Sequence, residues 1–225
     1  MLTIAILHSL SAVHRMQDNL DESERMARLA VELAENHLGE QHSFHISALN
    51  DLANTLRSKG KEEDAKQLYA RAVAILEERG ELNKQYAVAL GNLASLLTGM
   101  GSYAEAESMY VRLLALWRQK GWDESPERST LLFDLACLHA KDGRFDSAER
   151  LCIAAFTLRK DLVGLEHPDI LRILSTLRII YERKEKALPG LQWVDLGFVH
   201  SNLLAIKDLH ITSGEPGPYR PVMCI

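Results

Sequence analysis

Ala48-Leu49-Asn50-Asp51-Leu52-Ala53, followed by Gly60-Lys61-Glu62-Glu63-Asp64-Ala65, is the stretch whose repetition decides the fold. Leu49, Leu52, Ala53 and Leu56 recur at i, i+3, i+4 and i+7, the spacing of one buried helix face. Gly60 ends that helix, because a left-handed residue is least costly without a Cβ. Ala65, Tyr69 and Ala72 then form a small–large–small stripe on a second helix running from 61 to 79. The pattern returns twice. Leu93-Ala94 and Leu135-Ala136 repeat Leu52-Ala53, and Gly101 and Gly143 repeat Gly60. Ala106 and Ala148 repeat Ala65, while Tyr110 and Cys152 repeat Tyr69. The glycines recur with a period of about 42 residues, so four columns keep register over three units. Small residues at 53, 94 and 136 let the second helix of each unit cross closely; a larger side chain would push it away.

These columns predict an all-α chain, a right-handed α-solenoid of antiparallel helix pairs in which each unit packs only on its neighbours. The array occupies 1–186: a degenerate opening unit at 1–40, regular units at 44–80, 85–121 and 127–163, and a terminal helix at 169–183. The first helix of the quoted unit is expected over 47–58. Ala12 and Ala30 stand one such period before Ala53 and Ala72, which marks the opening unit. Its first helix has no N-cap residue, and Arg178 stands at the small-residue column of the last helix, so a partial copy of a longer array is left open. Leu188-Pro189-Gly190 breaks the helix; 191–211 is apolar enough for a capping helix, and the Gly- and Pro-rich segment from 213 is expected to be disordered.

The net charge of −5 argues against a general polyanion binder, since neutralising phosphates needs a basic face. Three cysteines (Cys137, Cys152, Cys224) form no CxxC and leave an odd count, which fits a reducing compartment. Residues 1–7 are apolar but lack a basic leader and a small-residue cleavage site. No run reaches the roughly 20 apolar residues of a membrane span. The expectation is a cytoplasmic protein with no nucleic-acid or membrane partner.

Catalytic signatures are missing: there is no GxxxxGK(S/T), no GxGxxG after a strand, no GxSxG and no HExxH. The chain is therefore not expected to be an enzyme, nor to carry a cofactor or metal. His42 and His45 have no third ligand nearby and read as solvated linker and helix-start residues. Cys137 and His139, two apart on a helix, point in different directions. Trp117 and Trp122 read as core and rim aromatics, since a base-stacking platform needs basic neighbours.

The segments 48–53 and 60–65, with their counterparts 101–106 and 143–148, resemble the tetratricopeptide consensus. An ordinary unit is about 34 residues; the longer period here, with the linkers 38–42 and 164–169, is similar to the repeats of kinesin light chains and nephrocystin-type proteins. The likeness covers roughly 20–183. Glu62 departs from the aromatic expected there, and His139 from the leucine of its column. The resemblance implies that first helices line a concave groove holding a protein or peptide partner. Polar first-helix residues off the Leu/Ala stripe are then the candidates: Asn50, Asp51, Asn54 and Arg57, then Asn92, Ser95 and Thr98, then Thr130, Asp134 and Lys141. Asn suits this role because its amide both donates and accepts.

Chaperone-binding relatives resemble one another in a clamp of two Asn and three basic residues. Asn54 and Asn92 keep the amides, but the basic positions fall on Asn50, Thr130 and Asp134. Acidic C-terminal tails are therefore expected not to bind, and a neutral or mildly basic segment is favoured. The implied role is a scaffold or adaptor similar to the cargo-binding repeats of kinesin light chains. A ligand-sensing segment of a larger signalling ATPase and an organelle assembly factor are the alternatives. The partner's identity and the oligomeric state are not legible.

Overall fold

A computed structural model describes residues 1–122, 125–165 and 167–187, with the side chains of 185–187 outside the description. Nine helices occur among the described residues: α1 (Leu2–Met16), α2 (Leu20–Leu38), α3 (Ser43–Ser58), α4 (Glu62–Glu78), α5 (Lys84–Gly99), α6 (Tyr103–Lys120), α7 (Pro126–Lys141), α8 (Phe145–Val163) and α9 (Pro168–Ala187). The capping helix expected at 191–211 and the tail beyond it lie outside the described residues.

The starts of α3, α5, α7 and α9 follow a column that the sequence hides behind three residue types. His42, Asn83, Ser125 and His167 recur with the period of the glycines. Each side chain accepts a hydrogen bond from a first-turn backbone N–H, which otherwise has no partner inside the helix. The donors are Phe44 (3.2 Å), Gln85 (2.9 Å) with Tyr86 (3.2 Å), Arg128 (3.3 Å) and Asp169 (3.3 Å). Because the cap is at His42, α3 starts at Ser43, one turn ahead of the expected position 47. That extension carries His45 into the helix, where it is fully buried. The solvated position expected for His45 is thus corrected: it occupies the core position that Tyr86 and Ile170 fill in later units. Burial lowers its imidazole below the usual histidine range.

Helix ends use the glycine column. At Gly60 (φ 75°) the N–H of Lys61 reaches back to Leu56 O at 2.9 Å and that of Gly60 to Arg57 O at 3.0 Å. The same pair of bonds closes α1 on Asp18 (φ 61°), where Asn19 N–H reaches His14 O at 2.9 Å and Asp18 N–H reaches Arg15 O at 3.2 Å. Asp18 therefore stands in the glycine column, one period before Gly60. It is the one positive-φ residue other than glycine among those described. This fixes the register of the opening unit. Ser11, not Ala12, lies opposite the Ala53 column; Ser11 is buried and Ala12 only half-buried.

The chain divides into two compact units, Met1–Leu113 and Leu114 onward. In the first, each helix from α1 to α5 packs on the next, and α3 also touches α1 and α5. First helices thus form a row α1–α3–α5. Gln85 ties two of them together, its Nε2 donating to Ser43 O (2.9 Å) and Ser47 Oγ (3.1 Å). Ala53, Ala94, Ala65, Ala106 and Tyr69 are fully buried, as the close crossings demand. The opening unit replaces the alanines of two columns by Ser11 and Ser23. Ser23 Oγ donates to Ser11 O (2.9 Å) and meets Thr55 Oγ1 at 2.8 Å, so three hydroxyls seal the α1–α2–α3 junction. In the second unit, α7 packs on α8 and both pack on α9. Ala136, Ala148, Cys152, Leu174 and Leu177 share its core. Lys184 of α9 pairs with Glu149 (2.6 Å) and Asp146 (2.8 Å) of α8, while Arg178 remains exposed.

Candidate peptide-binding face

The periodicity that buries Leu49, Leu52, Ala53 and Leu56 turns Asp51 and Arg57 away from the α3–α4 crossing and leaves Asn54 at its edge. Asn54 is half-buried and held in place: Tyr69, rising from α4, donates its hydroxyl to Asn54 Oδ1 at 2.6 Å. With the oxygen engaged, Nδ2 is the part of that amide left to donate to a ligand. The enclosed Tyr69 phenol is pushed up to about 12, mainly by burial, so it stays protonated and keeps this bond throughout the physiological range. The charges of Arg57, Arg15 and Asp51 also reach it.

Asp51 faces α1. Its Oδ2 pairs with His8 Nδ1, and burial raises the carboxyl above the usual aspartate range against the opposing pull of His8 and Arg15. Its direct partner is thus the His8 imidazole, the charge of Arg15 reaches it from α1, and Arg57 stands on the exposed side. Neither His8 nor Arg15 is found by column counting, because the opening unit's register is not marked by a glycine.

Asn50 does not share the exposed face. It is buried, 7% exposed, and its Nδ2 donates to Ile46 O at 3.0 Å within α3. Thr98 is likewise buried and donates to Ala94 O at 2.9 Å. Asn92 and Ser95 on α5 are half-buried; they are the counterparts of Asp51 and Asn54, one period on, in the neighbouring first helix of the row.

The second unit carries the other three candidates on α7. Thr130 is engaged with the scaffold: its hydroxyl accepts from Arg159 Nη2 at 2.6 Å and lies 3.3 Å from Pro126 O. Arg159, itself buried, continues to Asp169 of α9 at 3.3 Å. Asp134 and Lys141 are half-buried. Trp117 is buried with its Nε1 donating to Ser125 Oγ at 3.1 Å, and Trp122 stands edge-on to it. His139, Cys137 and Cys152 are buried. No group of three or more His, Cys, Asp and Glu side chains among the described residues is arranged to hold a metal ion. None of the described helices is long and apolar enough to cross a membrane.

Helix pairs stacked at a fixed sequence period, with first helices side by side, define a helical-repeat protein of the all-α solenoid class. The chain belongs to the tetratricopeptide-repeat family, whose profile (Tetratricopeptide repeat) matches residues 2–78 and 85–151. Solved structures agree in fold. The nearly identical TPR-like repeats assigned to a kinesin light chain of Podosopora anserina share 18% identity, with 93% of this chain and 97% of that chain covered at a TM-score of 0.74. BtubC (BKLC) from P. vanneervenii shares 19% identity, with 96% of this chain and 84% of that chain covered at a TM-score of 0.75. Among curated proteins, none matches this chain in sequence.

Proposed function

We propose that the chain is a protein-interaction module whose first unit holds a peptide segment of a partner protein along the α1–α3–α5 row. Tetratricopeptide repeats generally serve as interaction scaffolds, which supports the class. The observation that carries the particular site is the Tyr69–Asn54 hydrogen bond. A buried phenol spends its hydroxyl on fixing a half-buried amide, so a donor is held ready for a peptide carbonyl with little ordering cost. Asn92 supplies a second amide on the adjacent helix. Asp51, paired with His8, favours a neutral or mildly basic segment over an acidic one, a matter of specificity more than affinity. The ligand is a segment of cargo-peptide type read mainly through its backbone, and no acidic-tail clamp is formed. Asp134 and Lys141 offer contacts on the second unit's own first-helix face. A net charge of −5 favours protein over nucleic acid as partner, and three cysteines with no CxxC favour a reducing compartment such as the cytoplasm.

The test is selection of peptides from a display library on the full chain, followed by titration of the best binder. Replacing Asn54 and Asn92 together by Ala is expected to weaken that binder by at least about tenfold, two hydrogen bonds being worth about 1 kcal/mol each. Unchanged affinity would reject the amide-lined face. Micromolar binding of a peptide ending in acidic residues would reject the charge argument.

A further inference from the structure

Helix α1 is apolar on two opposite sides. Ile4, Leu7 and Ser11 are buried toward α2 and α3. On the far side Leu2, Ile6, Leu10, Val13 and Met16 form a stripe at i, i+4, i+8, i+11 and i+14, each between 41% and 77% exposed. Between Leu2 and Met16 the only charged side chain apart from histidine is Arg15, which lies with His8 on the Asp51 side of the helix. A helix that is apolar all round is normally covered all round.

We propose that this stripe is covered by the same stripe of a second copy, with the two α1 helices antiparallel across a two-fold axis at Ser9–Leu10. Three features select this occupant. The stripe is self-complementary about its middle: antiparallel pairing sets Leu2 against Met16 and Ile6 against Val13 of the second copy, as an isologous contact requires. The side chain nearest the axis, Ser9, is small and already satisfied, its hydroxyl donating to Ala5 O at 3.1 Å, so the helices approach without stranding a polar group. No carboxylate or lysine lies on the stripe, so pairing it with itself opposes no like charges. The exposed parts of the five side chains come to about 500–600 Å², so two copies bury on the order of 1,000–1,200 Å², at the lower end of specific interfaces. An apolar patch of that size is at the upper end of what a monomer exposes, and such patches are often functional. The His8–Asp51 pair stays outside the contact, so self-association and peptide binding are separable.

Sedimentation equilibrium of the full chain, from about 1 to 100 µM, reads this directly. The expected result is a monomer–dimer equilibrium in the micromolar range. Ile6→Glu should weaken it at least about tenfold by placing a charge in the contact, with an unchanged circular dichroism spectrum. Val111→Glu, at an exposed apolar residue of α6, should leave it unmoved. In a Cys224→Ser background, Ser9→Cys should give a disulfide-linked dimer on mild oxidation. A chain that stays monomeric across the range, or a dimer indifferent to Ile6→Glu, overturns the proposal.

Discussion

Glu24 is the charged node of the first unit, and replacing it by Gln tests how its helices are tied. Its carboxylate meets Lys59 at 2.6 Å and Arg28 at 2.6 Å, with Lys61 at 3.5 Å. Lys59 is also the C-terminal cap of α3, so the contact joins α2 to the turn that leads into α4. The hydrogen bonds from Lys59 and Arg28 hold the Glu24 carboxyl at about 2, well below its ordinary 4.5. Taken at face value the displacement is an upper bound of about 3 kcal/mol. The site lies at the protein edge, where solvent screens the pair, so about 1–2 kcal/mol is the expected contribution. A carboxylate with a lowered folded pKa stabilises fully above its unfolded value and loses that contribution as pH falls through the folded one. Glu24→Gln should therefore lower urea-unfolding stability by about 1–2 kcal/mol near neutral pH. The gap to wild type should close as pH falls from about 4.5 toward 2. Far-UV circular dichroism across that range is sufficient. A deficit of the same size near pH 2 as near neutrality would show that packing, not charge, was lost, and would refute the reasoning.

Three further outcomes follow from the geometry. Asp18→Gly removes the left-handed cost at φ 61° and should raise the stability of the first unit by about 0.5 kcal/mol, after the looser unfolded chain is counted; a lower melting temperature would contradict the column assignment. Ser23→Ala alone strands its hydroxyl partners and should cost about 1 kcal/mol, whereas Ser11→Ala, Ser23→Ala and Thr55→Val together should lie near wild type; equal losses in both would show that the hydroxyls act independently. His45→Tyr, which copies Tyr86 of the next unit, should remove part of the stability lost on acidification. Burial lowers the His45 pKa, so the unfolded chain takes the proton first and stability falls as pH drops below the unfolded value. An unaltered pH profile by circular dichroism would argue against burial of that imidazole.

The repeat columns were legible because burial leaves few choices: a close crossing admits Ala at 53, 94 and 136, and a left-handed turn favours Gly at 60, 101 and 143. The opening unit was misaligned by a single position because Asp18 replaces the glycine that marks register elsewhere. The cap column went unseen because His42, Asn83, Ser125 and His167 share only an acceptor atom, which residue identity conceals, so α3 was begun a turn late at 47. The burial of His45 was missed for that same reason. The candidate face was legible only in outline. Asn50 and Asn54 look alike in sequence, yet one closes onto its own helix and the other onto Tyr69. The His8–Asp51 pair joins helices distant in the chain, and no local spacing announces it.

The central claim is that the first-helix row of the first unit is where a partner peptide lies. Hydrogen–deuterium exchange of the full chain, with and without a selected peptide at saturation, tests it most directly. Added protection is predicted in α3 and α5, centred on Asn54 and Asn92, with α2 and α4 little changed. Protection confined to α2 and α4, with α3 and α5 exchanging as in the free chain, would contradict it.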